Sequence, residues 1–212
     1  MKQYGPEAFQ TDTGVSRETL SHLQAYVDLL QTWNQKINLI GKSTAADVWQ
    51  RHLLDSAQLF PLIPKTCQSL LDLGSGAGFP GLVLGIMGIP GIELAEADQR
   101  KAAFLREAAR VAGARVAVHA RRIEDLPQKK FDVVTARALA PVAELLDLSA
   151  PFLDSESVCI FLKGQNVEVE LTEAHKRWRI HVIQRASRTD PRGTIVCIDE
   201  VSRVPVQFAG NP

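Results

Sequence analysis

Cysteine is scarce in this chain of 212 residues and is never paired in sequence. Cys67, Cys159 and Cys197 are far apart and odd in number. This pattern argues against a disulfide framework or a Cys-x-x-Cys zinc site and favours a reducing compartment, the cytoplasm. No histidine or cysteine lies at metal-ligand spacing from another, so we expect no bound metal. The cysteines are expected to be small buried apolar residues.

The chain also lacks a segment suited to a secretory signal or to a membrane-spanning helix. The first ten residues contain no apolar core, so no secretory signal is expected. The uncharged span 73–92 holds many glycines together with Pro80 and Pro90. Glycine and proline at this density make a poor lipid-spanning helix, so the span is interpreted as a buried strand, turn and helix, and no membrane partner is expected.

The chain also lacks a net charge, because its 24 Lys and Arg residues balance its 24 Asp and Glu residues. A neutral chain is not built to coat nucleic acid with its whole surface, and we expect no DNA partner. Basic residues nevertheless crowd the segments 100–130 and 175–192. Such a local basic face suits an enzyme that acts on a structured polyanion, and it also suits an ordinary solvated surface.

The first third of the chain is predicted to be helical. Apolar residues recur at three- and four-residue steps from Leu20 to Ile37, behind a capping Ser16. A second helix is predicted over Ala45–Leu59, before Pro61.

From about Ser69 onward, short strands alternate with helices. The predicted strands are Ser69–Leu73, Ile92–Ala97, Arg115–His119, Phe131–Thr135, Val158–Leu162, Ile180–Gln184 and Thr194–Glu200. The predicted helices are Gly81–Met87, Gln99–Ala112, Val142–Ala150 and Val167–Arg177. The last two strands lack a long helix between them and are expected to form an antiparallel hairpin at the edge of a parallel sheet. We therefore predict a Rossmann-like α/β domain over 63–212 and a helical extension over 1–62, together forming one compact unit.

The stretch "LLDLGSGAGFPG" permits two ligands. Gly76, Gly78 and Gly81 fit the dinucleotide spacing G-x-G-x-x-G, which would suit an NAD(P)-dependent oxidoreductase. Asp72 begins a second frame, D-x-G-x-G-x-G, that continues through Gly74, Gly76 and Gly78. A carboxylate here repels a pyrophosphate but attracts an ammonium group, such as that of S-adenosylmethionine (SAM).

Two further strand ends carry residues suited to adenosine. Glu96 ends the second strand, where a carboxylate accepts hydrogen bonds from both ribose hydroxyls. Ile123 and Glu124 follow the third strand, where an apolar side chain can cover adenine and a carboxylate can read its edge. NAD and SAM share adenosine, so these residues support a nucleotide without choosing between the two.

Arg137 ends the fourth strand, where methyltransferases place their substrate-facing motif. In the N-terminal part, Asn34 and Asn38 are expected to share one helix face, and Arg51, His52 and Asp55 cluster on the next helix. A His52–Asp55 pair suits a general base, a metal ligand or, more commonly, a buried hydrogen-bonded pair.

These segments together resemble the RsmG (GidB) family over nearly the whole chain. The resemblance is carried by "WNQKINLI", "RHLLDS", "LDLGSGAGFPGLVL", "EADQRKAAFL", "RRIED", "FDVVTARALAP" and "FLKG". It implies a class I SAM-dependent methyltransferase that modifies the N7 atom of the guanine at position 527 of 16S rRNA (ribosomal numbering). The implied partner is 16S rRNA in the 30S subunit or an assembly intermediate, and the protein is expected to act as a monomer. Thr135 departs mildly from the serine that the family commonly shows, and Arg100 stands where many members have lysine.

By this resemblance and the residue patterns, cofactor contacts are predicted at Asp72, Gly74, Gly76, Gly78, Phe79, Glu96, Ile123, Glu124 and Arg137. Arg137 is also the predicted catalytic residue. RNA contacts are predicted at Asn38, Arg51, His52, Lys101, Arg122, Lys163 and Arg192. The N7 atom of guanine has a free lone pair, so the reaction needs alignment and no general base. The alternatives left open are the oxidoreductase and a non-catalytic RNA- or ribosome-binding module.

Overall fold

The computed structural model describes residues 4–205. Seven strands form one sheet: β1 (Leu70–Leu73), β2 (Ile92–Ala95), β3 (Val116–His119), β4 (Val133–Arg137), β5 (Val158–Lys163), β6 (Trp178–Ala186) and β7 (Thr194–Arg203). The strand order is β3-β2-β1-β4-β5-β7-β6. Strands β1 to β5 pair in parallel, while β7 runs antiparallel to both β5 and β6. The predicted parallel sheet with an antiparallel hairpin at its edge is confirmed.

Helices cover both faces of this sheet. They are α1 (Pro6–Thr13), α2 (Arg17–Asn34), α3 (Lys42–Ala45), α4 (Asp55–Ala57), α5 (Gly81–Ile86), α6 (Gln99–Val111), α7 (Val142–Ser149) and α8 (Val167–His175). Successive residues of each central strand face opposite cores, as Leu70 and Leu71 do. The core containing Leu70 also holds α2, α5 and α6, and the core containing Leu71 also holds α7 and α8.

The strand order reverses at β1, which lies between β2 and β4. Crossovers therefore leave β1 and β4 toward opposite sides, and a crevice opens beyond their carboxyl ends. Ligands of doubly wound sheets bind in this crevice. The loops after β1, β2 and β4 are thereby brought to one edge of the molecule.

The N-terminal helices pack directly on the loop that follows β1. Tyr26 in α2 is fully buried, and its hydroxyl donates a hydrogen bond to the carbonyl of Ala77 at 2.6 Å. Its ring also lies 5.8 Å from Phe79 and 6.3 Å from Phe104 in α6. These contacts join α2 to the loop after β1 and to α6, and the domain boundary at residue 62 stays a prediction.

The helix predicted over Ala45–Leu59 is confirmed for residues 48–57, but it is interrupted at 46–47 and is not a regular α-helix. The chain instead forms α3, a π-helical turn over Trp49–Leu54, and the short α4. The Ser56 hydroxyl donates to the His52 carbonyl at 2.7 Å, which competes with the regular backbone ladder. Such π turns widen the helix and are frequent at functional sites.

The expected shared face of Asn34 and Asn38 is also wrong, because α2 ends at Asn34. The Asn34 side-chain oxygen accepts hydrogen bonds from the amides of Leu39 and Ile40, at 2.9 and 3.0 Å. The chain therefore turns back at this point, and Asn38 lies beyond the helix. The helix α1 was not predicted. Across residues 4–205, none of the helices is long and apolar enough to cross a membrane.

Candidate cofactor and substrate site

The loop after β1 has a backbone that favours glycine. Gly74, Gly76 and Gly78 have φ values of +65°, +56° and +102°, where side chains with a Cβ are strained. A Cβ on Gly78 would lie 2.9 Å from Leu82 Cβ and 3.2 Å from Leu105 Cδ2. A Cβ on Gly76 would meet nothing closer than the Gly74 carbonyl at 3.9 Å. Gly78 is therefore required by packing, whereas Gly76 leaves open space beside the loop.

The last glycine of the dinucleotide frame has a packing role. A Cβ on Gly81 would lie 2.5 Å from Leu94 Cδ2 and 2.6 Å from Asp72 Cβ. Glycine at this position lets α5 pack closely on β1 and β2. The G-x-G-x-x-G spacing is thus explained by backbone clearance, as the D-x-G-x-G-x-G interpretation expects.

Glu96 connects the loops that follow β1 and β2. Its carboxylate accepts hydrogen bonds from the amide of Gly76 and from the amide of Asp98, each at 2.8 Å. The residue is buried with 9% of its surface exposed, at the edge of a cavity. Its position beside the glycine loop suits a carboxylate that binds ribose hydroxyls.

This cavity has a volume of about 400 Å³, within the usual range for small-molecule sites. It brings together seven of the predicted residues: Gly74, Gly76, Glu96, Lys101, Arg122, Ile123 and Glu124. Sequence reasoning missed its apolar wall, which includes Leu139, Ala140 and Leu148. The only sequence signal was the run of small and apolar residues that follows Arg137.

Asp72 lies behind the glycine loop and does not line this cavity. Its side chain is fully buried, and it accepts a hydrogen bond from the Thr135 hydroxyl at 2.7 Å. The Asp72 carbonyl accepts another from the Ser75 hydroxyl at 3.1 Å. The residue therefore supports the loop from the interior, and its contact with a ligand stays a prediction.

Burial raises the pKa of Asp72 from 3.8 to about 6. The native state thus holds this proton more tightly than the unfolded chain, so native stability falls as pH rises between about 4 and 6. Above pH 6 the raised pKa lowers the free energy of unfolding by about 3 kcal/mol, compared with a carboxyl group whose pKa is the same in both states. We expect Asp72→Asn to gain stability relative to the unsubstituted protein by up to this amount over that window, as measured by urea unfolding at each pH.

The control for this experiment is Asp132→Asn, which should show the opposite trend. Asp132 accepts hydrogen bonds from the amides of Gln68 and Ser69, at 2.7 and 2.9 Å, and these bonds lower its pKa. Its stabilising contribution is present at neutral pH and is lost as pH falls. An identical pH dependence of the Asp72→Asn variant and the unsubstituted protein would contradict the shift assigned to Asp72.

Arg137 lies at the end of β4, in a second cavity of about 210 Å³. One guanidinium nitrogen is 3.4 Å from Asp55 Oδ2, and the guanidinium lies 4.7 Å from the centre of the Phe79 ring. Asp55 also accepts hydrogen bonds from the Thr189 hydroxyl at 2.5 Å and from Gln58 at 2.9 Å. The segment after the π turn thereby ties Arg137 to the loop between β6 and β7.

The expected hydrogen bond between His52 and Asp55 is not formed. His52 bonds to the Thr44 hydroxyl at 2.9 Å, and its ring stacks on Phe79 with centroids 4.9 Å apart. Burial, reinforced by the charges of Arg137 and Arg51, lowers the pKa of His52 to about 3. The imidazole is therefore neutral at physiological pH and offers no positive charge to a phosphate. Phe79 itself is 97% buried. Its ring packs against the rings of His52 and Tyr26, and it does not line the open cavity beside Glu96.

Two of the other predicted RNA-binding residues, Arg51 and Lys163, line the same cavity as Arg137, and the rest lie elsewhere. Arg51 pairs with Asp190 at 3.4 Å, and Arg192 is mostly exposed. The Lys163 side chain is only 7% exposed; its ammonium donates to the Ala140 carbonyl and pairs with Glu170, each at 2.7 Å. Asn38 and Lys101 line a third cavity of about 340 Å³, a polar groove that also contains Lys36 and Arg100.

The sheet order, the glycine loop after β1 and the carboxylate after β2 define a class I SAM-dependent methyltransferase. Solved structures support this fold. A ribosomal protein L11 methylase from Lactobacillus delbrueckii subsp. bulgaricus superposes with a TM-score of 0.58 at 16% identity, covering 71% of this chain and 77% of that one. M. jannaschii TYW2 in complex with AdoMet superposes with a TM-score of 0.56 at 14% identity, covering 74% and 78%.

Sequence comparison gives the particular family. The model of rRNA small subunit methyltransferase G matches residues 19–191. The curated Ribosomal RNA small subunit methyltransferase G of Rhodospirillum rubrum is 54% identical over 198 residues, covering 93% of this chain and 98% of the relative. The protein of that name from Paramagnetospirillum magneticum is 53% identical over 199 residues, covering 94% and 97%. This chain belongs to the rRNA small subunit methyltransferase G family.

The predicted family and enzyme class are therefore confirmed, and SAM is the cofactor. The open space beside Gly76, the carboxylate of Glu96 and the apolar wall at Ile123 and Leu139 fit its charged and aromatic parts. Within residues 4–205, no three His, Cys, Asp or Glu side chains are grouped closely enough to hold a metal ion.

Proposed function

We propose that this protein transfers a methyl group from SAM to the N7 atom of the guanine at position 527 of 16S rRNA. The observation that carries this proposal is the position of Arg137 at the end of β4, next to the strand that leads into the glycine loop. Amino methyltransferases of nucleic acids commonly place a carboxylate or amide with prolines at this point. An arginine there suits a reaction in which the acceptor nitrogen has no proton to lose.

Bound SAM supplies an electrophilic methyl group on its sulfonium. The chain has to hold the cofactor and align the base. Gly74, Gly76 and Glu96 would hold the amino acid and ribose ends of SAM, while Ile123 and Glu124 would contact adenine. Arg137, fixed by Asp55 and Phe79, would anchor the guanine or a neighbouring phosphate.

A general base is not needed for this chemistry, and the site supports that interpretation. Asp55 already accepts bonds from Arg137, Thr189 and Gln58. His52 is buried and bonded to Thr44. Both residues would support Arg137 and the wall of the substrate site.

The RNA substrate requires contacts to its phosphates. Lys36, Arg100 and Lys101 share the polar groove, and Lys101 also lines the cofactor cavity. A phosphate bound in this groove would lie close to the cofactor site. We propose that the substrate is the 30S subunit or an assembly intermediate, and that the protein acts in the cytoplasm as a monomer, with residues 1–62 and the sheet as one unit.

The test uses 30S subunits and naked 16S rRNA from a strain that lacks this methylation. Each is incubated with the protein and SAM labelled on its methyl group, and the modified nucleotide is mapped by primer extension after cleavage at 7-methylguanosine. We expect one new stop, at position 527, and no labelling of subunits that already carry the modification. Labelling at another nucleotide, or none while a known rRNA methyltransferase labels its own target, would contradict the proposal.

A further inference from the structure

A partly buried ion pair between Lys163 and Glu170 holds the loop that connects β4 to α7. Lys163, at the end of β5, has only 7% of its side chain exposed. Its ammonium donates a hydrogen bond to the carbonyl of Ala140 and lies 2.7 Å from Glu170 Oε2 in α8. The same Glu170 oxygen accepts a hydrogen bond from the amide of Val142 at 3.1 Å. The pair thus holds the backbone on both sides of Pro141.

The loop held by this pair has an unfavourable backbone. Ala138 has a φ of +52°, which residues with a Cβ rarely adopt. Such conformations persist only where the surrounding structure enforces them. In this loop, the contacts that enforce the conformation of Ala138 begin two residues later, at Ala140.

Leu139 lies between the strained residue and the ion pair, directly against the glycine loop. A Cβ added to Gly74 would be 2.8 Å from Leu139 Cδ1 and 3.2 Å from Cδ2. Leu139 and Ala140 both line the cofactor cavity, although 39% of the Leu139 surface is exposed. An apolar side chain is kept in this half-open position by the backbone on either side of it.

We propose that Lys163 and Glu170 are positioning residues for cofactor binding. They hold residues 138–142 so that Leu139 packs on Gly74 and completes the apolar wall of the cavity. This inference rests on the proposed assignment of that cavity to SAM. It gives Lys163 a role in holding this loop, beside its place in the wall of the Arg137 cavity, where its charge is paired with Glu170.

A purely structural ion pair would make a different contribution. It would tie the end of β5 and the start of α7 to α8, and its loss would lower the free energy of unfolding alone. A positioning pair changes the affinity for SAM in protein that remains folded. The two roles are separated by measuring cofactor affinity and unfolding on the same variants.

The experiment compares Glu170→Gln with Glu173→Gln by calorimetric titration with SAM and by urea unfolding. Glu173 lies in the same helix and pairs with Lys176 at 2.6 Å, but both side chains are more than half exposed. We expect Glu170→Gln to raise the dissociation constant of SAM about tenfold, because the cavity wall is displaced. Glu173→Gln should leave that constant unchanged.

A double-mutant cycle supplies the decisive measurement. Leu139→Ala and Lys163→Met should each raise the dissociation constant of SAM, and the double variant should bind no more weakly than the weaker single variant. Additive effects of the two substitutions, or affinities equal to the unsubstituted protein, would overturn the proposal. If Lys163→Met does not fold, the cycle is made with Glu170→Gln. Cofactor binding is measured without RNA, so a failure to methylate position 527 would refute the proposed function and leave this inference standing.

Discussion

Replacing Arg137 with lysine is expected to lower kcat for 16S rRNA methylation by about 100-fold or more, because small misplacements of an aligned group are costly. The guanidinium stacks on Phe79 and pairs with Asp55, and both contacts depend on its planar, forked shape. An ammonium keeps the charge but loses the stacking and the direction. Single-turnover methylation of 30S subunits at saturating SAM measures the effect.

Arg203→Lys is the matched control for this substitution. Arg203 stacks on Trp178 at 3.9 Å and pairs with Asp147, but it does not line the cavities described above. It therefore loses the same kinds of contact away from the site. If both lysine variants lower kcat equally, the effect belongs to protein stability and Arg137 has no special place in the reaction.

Replacing Glu96 with alanine is expected to raise the dissociation constant of SAM by about 100-fold or more. Two ribose hydroxyls would lose a charged acceptor, and hydrogen bonds to charged groups contribute about 1.5–3 kcal/mol each. The amides of Gly76 and Asp98 also lose their acceptor, which loosens the junction of the two loops. Calorimetric titration with SAM measures the affinity directly.

The control here is Glu107→Ala, since Glu107 pairs with Arg110 on the outer surface of α6. Urea unfolding of both variants establishes that each is folded at the temperature of titration. Titration with NADH is a second check on the role of Glu96, because SAM and NADH both contain an adenosine ribose. Unchanged SAM affinity in folded Glu96→Ala would show that the cofactor lies elsewhere.

Much of this site could be predicted because its residues follow strand ends. Gly74, Gly76, Glu96, Ile123 and Glu124 are separated by up to 50 residues in the chain, yet they line one cavity. The carboxyl ends of parallel strands must meet at one edge of a sheet, so a correct strand pattern already gathers them. Local spacing alone left two ligand classes open at the glycine loop, and the resemblance of the whole set of motifs to one family decided between them.

The π turn and the contacts of Lys163 could not be predicted in this way. Periodicity over 45–59 indicated a continuous helix, and it contains no information about a hydroxyl that takes one backbone carbonyl. Lys163 resembled a surface cation in the sequence, and its pairing with Glu170 depends on how α8 packs beside β5. Basic residues that were grouped as RNA contacts are therefore divided between the Arg137 cavity, where Arg51 and Lys163 pair with carboxylates, and open grooves.

The sequence by itself determined the class of fold and the family, and it placed the glycine loop after β1 and the carboxylate after β2. These features depend on short-range spacing and on the order of elements along the chain, which are written directly in the residues. Tertiary structure alone decided that Asp72 is buried, that His52 is neutral, that Asp55 directs Arg137 and that Lys163 holds the loop of Leu139. Burial and ion pairing set the charge and direction of a side chain, and both depend on neighbours that are distant in sequence.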